Sequence, residues 1–443
     1  MKRLITYAFF SLILFSTVYF AANEIEFTEY TLDNGLHVIL HEDNSTPIVA
    51  VSIMYHVGSK NEDPERTGFA HFFEHLMFEG SANIPRGEYF KIVQKNGGTL
   101  NANTSFDRTY YYQVLPSNQL ELGLWLESER LLQLNIDSIG VETQRSVVKE
   151  ERKQRLDNQP YGSILEEIFT RAYKEHPYRW TPIGSAQYID MATLDEFMDF
   201  YDMYYVPENA TLSIAGDIDV DEAKELVEKY FGTIPSGKRE IVRPEIVEPP
   251  MQAEIRDTVY DNIQLPAVLM TYHIPAQGTE DYYAINMLTT LLSDGQSSRM
   301  YKSLVDEKQL ALQAASFPFA LEDPGLFIAF GLVNVGVDPL ELEKGMEAEI
   351  EKVKNELIPE KEFQKLRNQI EADFISGNQT VAGIAESLSN YHVYFGDAEL
   401  INTEIEKYMS VTREDIKRVA NKYLQHDKRV VLHYLAKSQE PKK

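Results

Sequence analysis

Gly68-Phe69-Ala70-His71-Phe72-Phe73-Glu74-His75-Leu76-Met77-Phe78-Glu79-Gly80 is the most informative stretch of this 443-residue chain. Thr67 to Phe78 has the length and composition of a helix, and Gly80 supplies its stop. Positions i, i+3 and i+4 of a helix share a face, so His71, Glu74 and His75 point the same way. The remaining residues are mostly Phe, Leu and Met, and burying two imidazoles and a carboxylate among them without partners is costly. A metal ion satisfies the group at once. Two neutral imidazoles at this spacing take two corners of a zinc tetrahedron, and the carboxylate between them can act as base on a metal-activated water. The HxxEH order is the inverted form of the zincin motif.

A zinc hydrolase needs a third ligand, and a carboxylate on a second helix is a common solution. The helix-like run from Glu142 to Glu151 supplies two adjacent candidates, Glu150 and Glu151. The chain has no cysteine, which excludes thiolate catalysis, disulfides and Cys-ligated zinc, so any metal site is built from His, Asp and Glu. A formal charge of −27 argues against nucleic acid as a partner, because that binding rests on Lys and Arg at phosphates. A cationic or neutral partner fits better.

Around this helix, Glu26 to His41 alternates apolar and polar about Asn34-Gly35, which predicts two strands and a tight turn. Val49 to Val57, Thr109 to Leu115 and Ala210 to Ala215 read as further strands. Gln119 to Leu132, Glu142 to Leu156 and Leu194 to Tyr204 read as helices. Strands mix with helices without regular βαβ alternation, which predicts an α+β layer architecture. The length exceeds what one core usually supports, so two domains are expected. Pro235, Pro244, Pro249 and Pro250, set among charges, mark a linker over 236–256. It separates a domain at 23–235 from a second at 257–438, with a tail at 439–443.

The second domain reads as a degenerate copy of the first. Phe72, Phe73, Leu76, Met77 and Gly80 align with Met287, Leu288, Leu291, Leu292 and Gly295, and Thr193, Tyr204 and Leu212 with Thr412, Tyr423 and Val431. His71, Glu74 and His75 then fall on Asn286, Thr289 and Thr290, so no metal is expected there. At the start of the chain, Lys2 and Arg3 precede an apolar run from Leu4 to Phe20. Residues 1–22 therefore read as a signal peptide or, through residues 4–22, a membrane anchor, with the protein exported to the periplasm or anchored facing it.

In these motifs the chain resembles the pitrilysin family, which includes insulin-degrading enzyme and the mitochondrial processing peptidases. In that family a Glu ligand follows the HxxEH helix by roughly seventy-five residues, and Glu151 stands 76 residues after His75. The resemblance implies an endopeptidase with Zn2+ on His71, His75 and Glu151 and with Glu74 as base. Each domain would be an antiparallel sheet packed with helices. Gly97-Gly98-Thr99-Leu100-Asn101-Ala102-Asn103-Thr104 resembles the family's active-site edge strand, which makes Gly98, Thr99, Asn101 and Ala102 the substrate-binding candidates. His176-Pro177-Tyr178 and Tyr204-Tyr205-Val206-Pro207-Glu208-Asn209-Ala210 also match, in packing roles.

Two positions depart from the family pattern. Gln144 stands where a Glu usually supports the ligands from behind. The Arg and Tyr that the second half usually presents to the substrate carbonyl fall on Val305 and Leu312. The resemblance therefore implies a heterodimer with a homologous, zinc-free subunit that supplies the missing pair. A homodimer using Arg299 is the alternative. Rival expectations are a non-catalytic assembly subunit and a peptide-binding module in which zinc is only structural.

Overall fold

The computed structural model describes residues 24–441, so the expectation for the leader at 1–22 lies outside the described residues. The first half runs β1 (Thr28–Thr31), β2 (His37–Glu42), β3 (Ile48–Tyr55), α1 (Phe69–Leu76), α2 (Tyr89–Lys95), β4 (Thr99–Thr104), β5 (Thr109–Pro116) and α3 (Leu120–Gln133). It continues with α4 (Ser138–Arg152), α5 (Ile164–Ala172), α6 (Ala186–Met191), α7 (Leu194–Tyr204), β6 (Ala210–Gly216) and α8 (Val220–Phe231). No helix or strand occurs from there to β7 (Ile255–Asp261). The second half then runs β8 (Ala267–His273), α9 (Glu280–Ser293), β9 (Ala311–Phe319), β10 (Leu326–Val333), α10 (Pro339–Asn355) and α11 (Glu360–Gly377). It closes with α12 (Val381–Phe395), α13 (Leu400–Ser410), α14 (Arg413–Tyr423) and β11 (Val430–Ala436).

The two halves have the same topology. The first sheet has the order β1-β2-β6-β3-β5-β4 and the second β7-β11-β8-β10-β9, so β1 is the one addition. Thr193 and Thr412 each open the last helix before the returning strand with a reciprocal capping box, to Glu196 and Asp415. The fold is two α+β domains of one plan. All strand pairs are antiparallel except β2 with β6 and β7 with β11, which are parallel. Each sheet is therefore mixed, where the sequence led us to expect antiparallel pairing throughout. Side-chain alternation has the same period in both pairings and does not distinguish them.

β3 is buried at every position from Val49 to Tyr55, which explains its nearly unbroken apolar sequence. One face packs against helices of its own half, with Phe72, Phe73, Leu124, Phe197 and Val227 in that core. The other face, through Ala50, Ile39 and Ala215, is covered by Val381, Ile384, Ala385 and Leu388 of α12. The exchange is reciprocal, because Ile168 and Phe169 of α5 pack with Leu269, Ile328 and Leu432 of the second sheet. Each half thus completes the other's core.

A buried charge cluster reinforces the junction. Lys60, just ahead of α1, contacts Asp107 of its own half at 3.3 Å and Asp323 of the β9–β10 loop at 3.1 Å, and also pairs with Glu322. Burial alone would raise the Glu322 carboxyl, but the hydrogen bond and charge of His56 and the charge of Lys60 hold it down to about 2. A depressed carboxylate contributes stability above its unfolded value, and that contribution is lost as pH falls toward 2. Lys60→Met leaves buried Asp107 without its cation. The expected loss is about 3–5 kcal/mol, against about 0–1 kcal/mol for an exposed pair, and denaturant unfolding at neutral pH measures it.

Candidate metal centre

Gly68 opens α1 at φ 99° with no side-chain cap of its own. The cap comes from Glu62, whose carboxylate accepts from Gly68 N at 2.8 Å and from Ala70 N at 2.9 Å. Gly184 packs so closely on Gly68 that a Cβ there would strike its backbone. On the core side of α1, Phe69 and Phe72 stack on Phe197 at 4.6 and 4.5 Å, and Phe73 on Phe200 at 5.5 Å. These contacts fix the rotation of the helix, and His71, Glu74 and His75 take the other face.

Across from that face, α4 begins at Asp137, whose side chain accepts from Gly140 N at 2.7 Å, and carries Glu151 in its last turn. Glu151 Oε2 stands 3.0 Å from His75 Nε2 and 3.6 Å from His71 Nε2. The two imidazoles lie 4.9 Å apart at 81°. One ligand atom from each of the three residues falls within 4.8 Å of the others. Burial, then the neighbouring His75, lowers His71 to about 4, which keeps it neutral and ready to ligate. Glu151 is held below the usual carboxylate range, first by the close approach of His75. Its Oε2 atom is buried without a regular hydrogen-bond partner, aimed between two imidazoles, as a metal ligand would be. The donor set N, N, O suits zinc. Glu150 is 58% exposed and faces Lys153 and Gln154 instead.

Glu74 stands apart from the three. Its carboxylate accepts from Thr104 Oγ1 at 2.6 Å, and burial raises its pKa while this bond partly opposes the rise. Thr104 ends β4, which closes its sheet and has no strand on its outer side among the described residues. Along β4, Thr99 and Asn101 are exposed, Ala102 is buried, and Gly98 lies buried just before the strand against Leu115. Thr104→Val removes the donor that favours the Glu74 carboxylate. The acid limb of the kcat/KM profile is therefore expected to move to higher pH with metal content unchanged, as a pH series of peptide hydrolysis will show.

Some positions sit differently from expectation. Gln144 donates to Glu79, itself held by Arg86, and makes no hydrogen bond to His71, His75 or Glu151 among the described residues. Arg155, one turn past Glu151, binds its second oxygen at 2.8 Å. Thr104 and Arg155 were not singled out by sequence reasoning, although Thr104 closes the quoted edge-strand motif and Arg155 has i,i+4 spacing from Glu151. In the second half, Asn286, Thr289 and Thr290 lie on α9, where the two threonine hydroxyls bond back to their own helix. Arg299 is engaged by both carboxylate oxygens of Glu362, at 3.0 and 2.6 Å, and Leu312 is largely exposed.

A duplicated α+β fold with an HxxEH helix in its first half only defines the class of pitrilysin-like chains. Comparison with known proteins agrees. The model of "Insulinase (Peptidase family M16)" matches residues 37–184, and that of the "Peptidase M16 inactive domain" matches 192–370. The chain is 35% identical to the zinc protease PqqE of Helicobacter pylori, over 89% of each chain. A crystal structure of a protease from Helicobacter pylori superposes with a TM-score of 0.89 at 33% identity, covering 93% of this chain and 99% of that one. The periplasmic protease PqqL of Escherichia coli shares the fold, with a TM-score of 0.76 at 17% identity over 92% of this chain and 47% of that one. This chain belongs to the M16 peptidase family.

Proposed function

We propose that the chain is the catalytic subunit of a zinc metalloendopeptidase acting on extended peptides or unfolded segments, with the ion held by His71, His75 and Glu151. The observation that carries this reading is the buried Glu151 Oε2, without a regular hydrogen-bond partner and facing both imidazoles. Three protein ligands leave a coordination position open, which favours a catalytic over a structural site and over an assembly role. When bound, zinc supplies Lewis acidity toward water and the scissile carbonyl.

The chain's own groups do the rest. Glu74, kept out of the ligand set by Thr104, takes a proton at its carboxylate and returns it to the leaving amine. A peptide added as a strand along β4, past Gly98, Thr99, Asn101 and Ala102, is led to Thr104 and so to Glu74. Bound metal and cleavage of a peptide library, with and without a chelator, test the activity. The Lys2 to Phe20 segment supports export, and no described helix is long and apolar enough to cross a membrane. N-terminal sequencing of exported protein tests that part.

The same reading includes a partner. Val305 and Leu312 offer no polar group to a developing oxyanion, and Arg299 is occupied by Glu362. Positioned donors at an oxyanion are worth roughly 3–4 kcal/mol, so the chain alone should be a poor enzyme. That the fold recurs as about half of the longer PqqL chain supports assembly of two such units. A homologous zinc-free subunit is the expected partner, and a homodimer is the alternative. Purified alone, the chain should turn over peptides slowly and accelerate with that subunit. Full activity alone, with neither rate nor mass changed by the subunit, contradicts the assembly.

A further inference from the structure

A second set of metal-binding residues lies outside the candidate centre, where the two halves meet. Among the described residues only two groups bring three His, Asp or Glu ligand atoms within 4.8 Å of one another, and the second is Glu29, His37 and His392. Their positions follow from the fold. His37 lies two residues before Ile39 on β2, and Glu29 of β1 is paired with Ile39, so the three share one face of the first sheet. That face is covered by α12, whose Ile384 and Leu388 pack with Ile39. His392, one turn beyond Leu388, continues the same helical row. The apolar row ends in two imidazoles and a carboxylate.

The geometry points to a second divalent transition-metal site, formed by Glu29, His37 and His392, that fastens α12 of the second half to the first sheet. The donors are again two imidazoles and one carboxylate, a set suited to zinc or cobalt. His37 Nε2 lies 3.1 Å from Glu29 Oε2, and its Nδ1 lies 3.2 Å from Thr31 Oγ1. The His37 and His392 rings stack at 3.5 Å and 3°, which places ligand nitrogens of both within 4.8 Å of each other and of a Glu29 oxygen. Burial lowers both imidazoles, His392 to about 4 with His37 as the second cause, while Glu29 partly opposes the shift at His37. The site is independent of the peptidase reading, because it shares no residue with the first.

The test counts ions. Zinc titrated into the full chain against a chromophoric chelator should give two equivalents. His392→Phe, which keeps an aromatic ring over His37 but removes a ligand, should give one with peptidase rate unchanged. In the His71→Ala/His75→Ala chain one equivalent should remain, and zinc should raise the thermal midpoint by about 2–4 °C, a rise that added His392→Phe abolishes. The site is ruled out if His392→Phe leaves the wild-type stoichiometry unchanged, or if the His71→Ala/His75→Ala chain, folded by circular dichroism, takes up no zinc at micromolar concentration.

Discussion

Glu74→Gln is expected to bind zinc as the parent does and to hydrolyse peptides ~10²- to 10⁴-fold more slowly, the range assigned to a positioned general base. The argument is one of placement. Glu74 shares the helical face of His71 and His75, yet its carboxylate is bonded to Thr104 while Glu151 takes the position between the imidazoles. The carboxamide preserves shape and can still meet the Thr104 hydroxyl, so fold and ligand set persist while the proton acceptor is lost. Metal content and initial rates on one substrate, measured on the same preparation, give the answer. Near-normal turnover would remove Glu74 from the mechanism, whereas loss of metal would make it a ligand.

Glu151→Ala is expected to weaken zinc binding by more than ~100-fold, while Glu150→Ala changes it little. Loss of a group that merely orients a ligand costs roughly 10- to 100-fold, and loss of one of three protein ligands should exceed that. Neighbouring helical residues point about 100° apart, so only one of the two carboxylates can face the imidazoles. Glu151 does so, and Glu150 is 58% exposed beside Lys153. Competition with a chelator of known affinity measures both variants. The reverse order would transfer the ligand role to Glu150. A misfolded Glu151→Ala would be recognised by its circular dichroism, and Glu151→Gln then offers a milder version of the same loss.

Much of this protein is local in origin, and that part could be read directly. His71, Glu74 and His75 share a face because three and four residues make about one helical turn, whatever surrounds the helix. The turn at Asn34-Gly35 follows from the φ of 93° that Gly35 adopts. The capping boxes at Thr193 and Thr412, and the absence of regular structure between Phe231 and Ile255, likewise depend on neighbours in the chain. Glu151 was different. A carboxylate 76 residues from His75 has no local signature, and Glu150 beside it was an equal candidate until the family resemblance separated them.

Sequence alone determined the helix that carries His71, Glu74 and His75 on one face, the duplication of the chain, and that any metal site is built without cysteine. Only the tertiary structure decided which way α4 turns Glu151, that Thr104 holds Glu74, and that Gln144 meets Glu79. It also decided the parallel pairs in each sheet, the exchange of α5 and α12 between the halves, and the meeting of His37 with His392. The physical reason is range. Helical periodicity, caps and turns are set within a few residues, whereas these contacts join residues tens to hundreds of positions apart, and burial of both sheet faces brings them together.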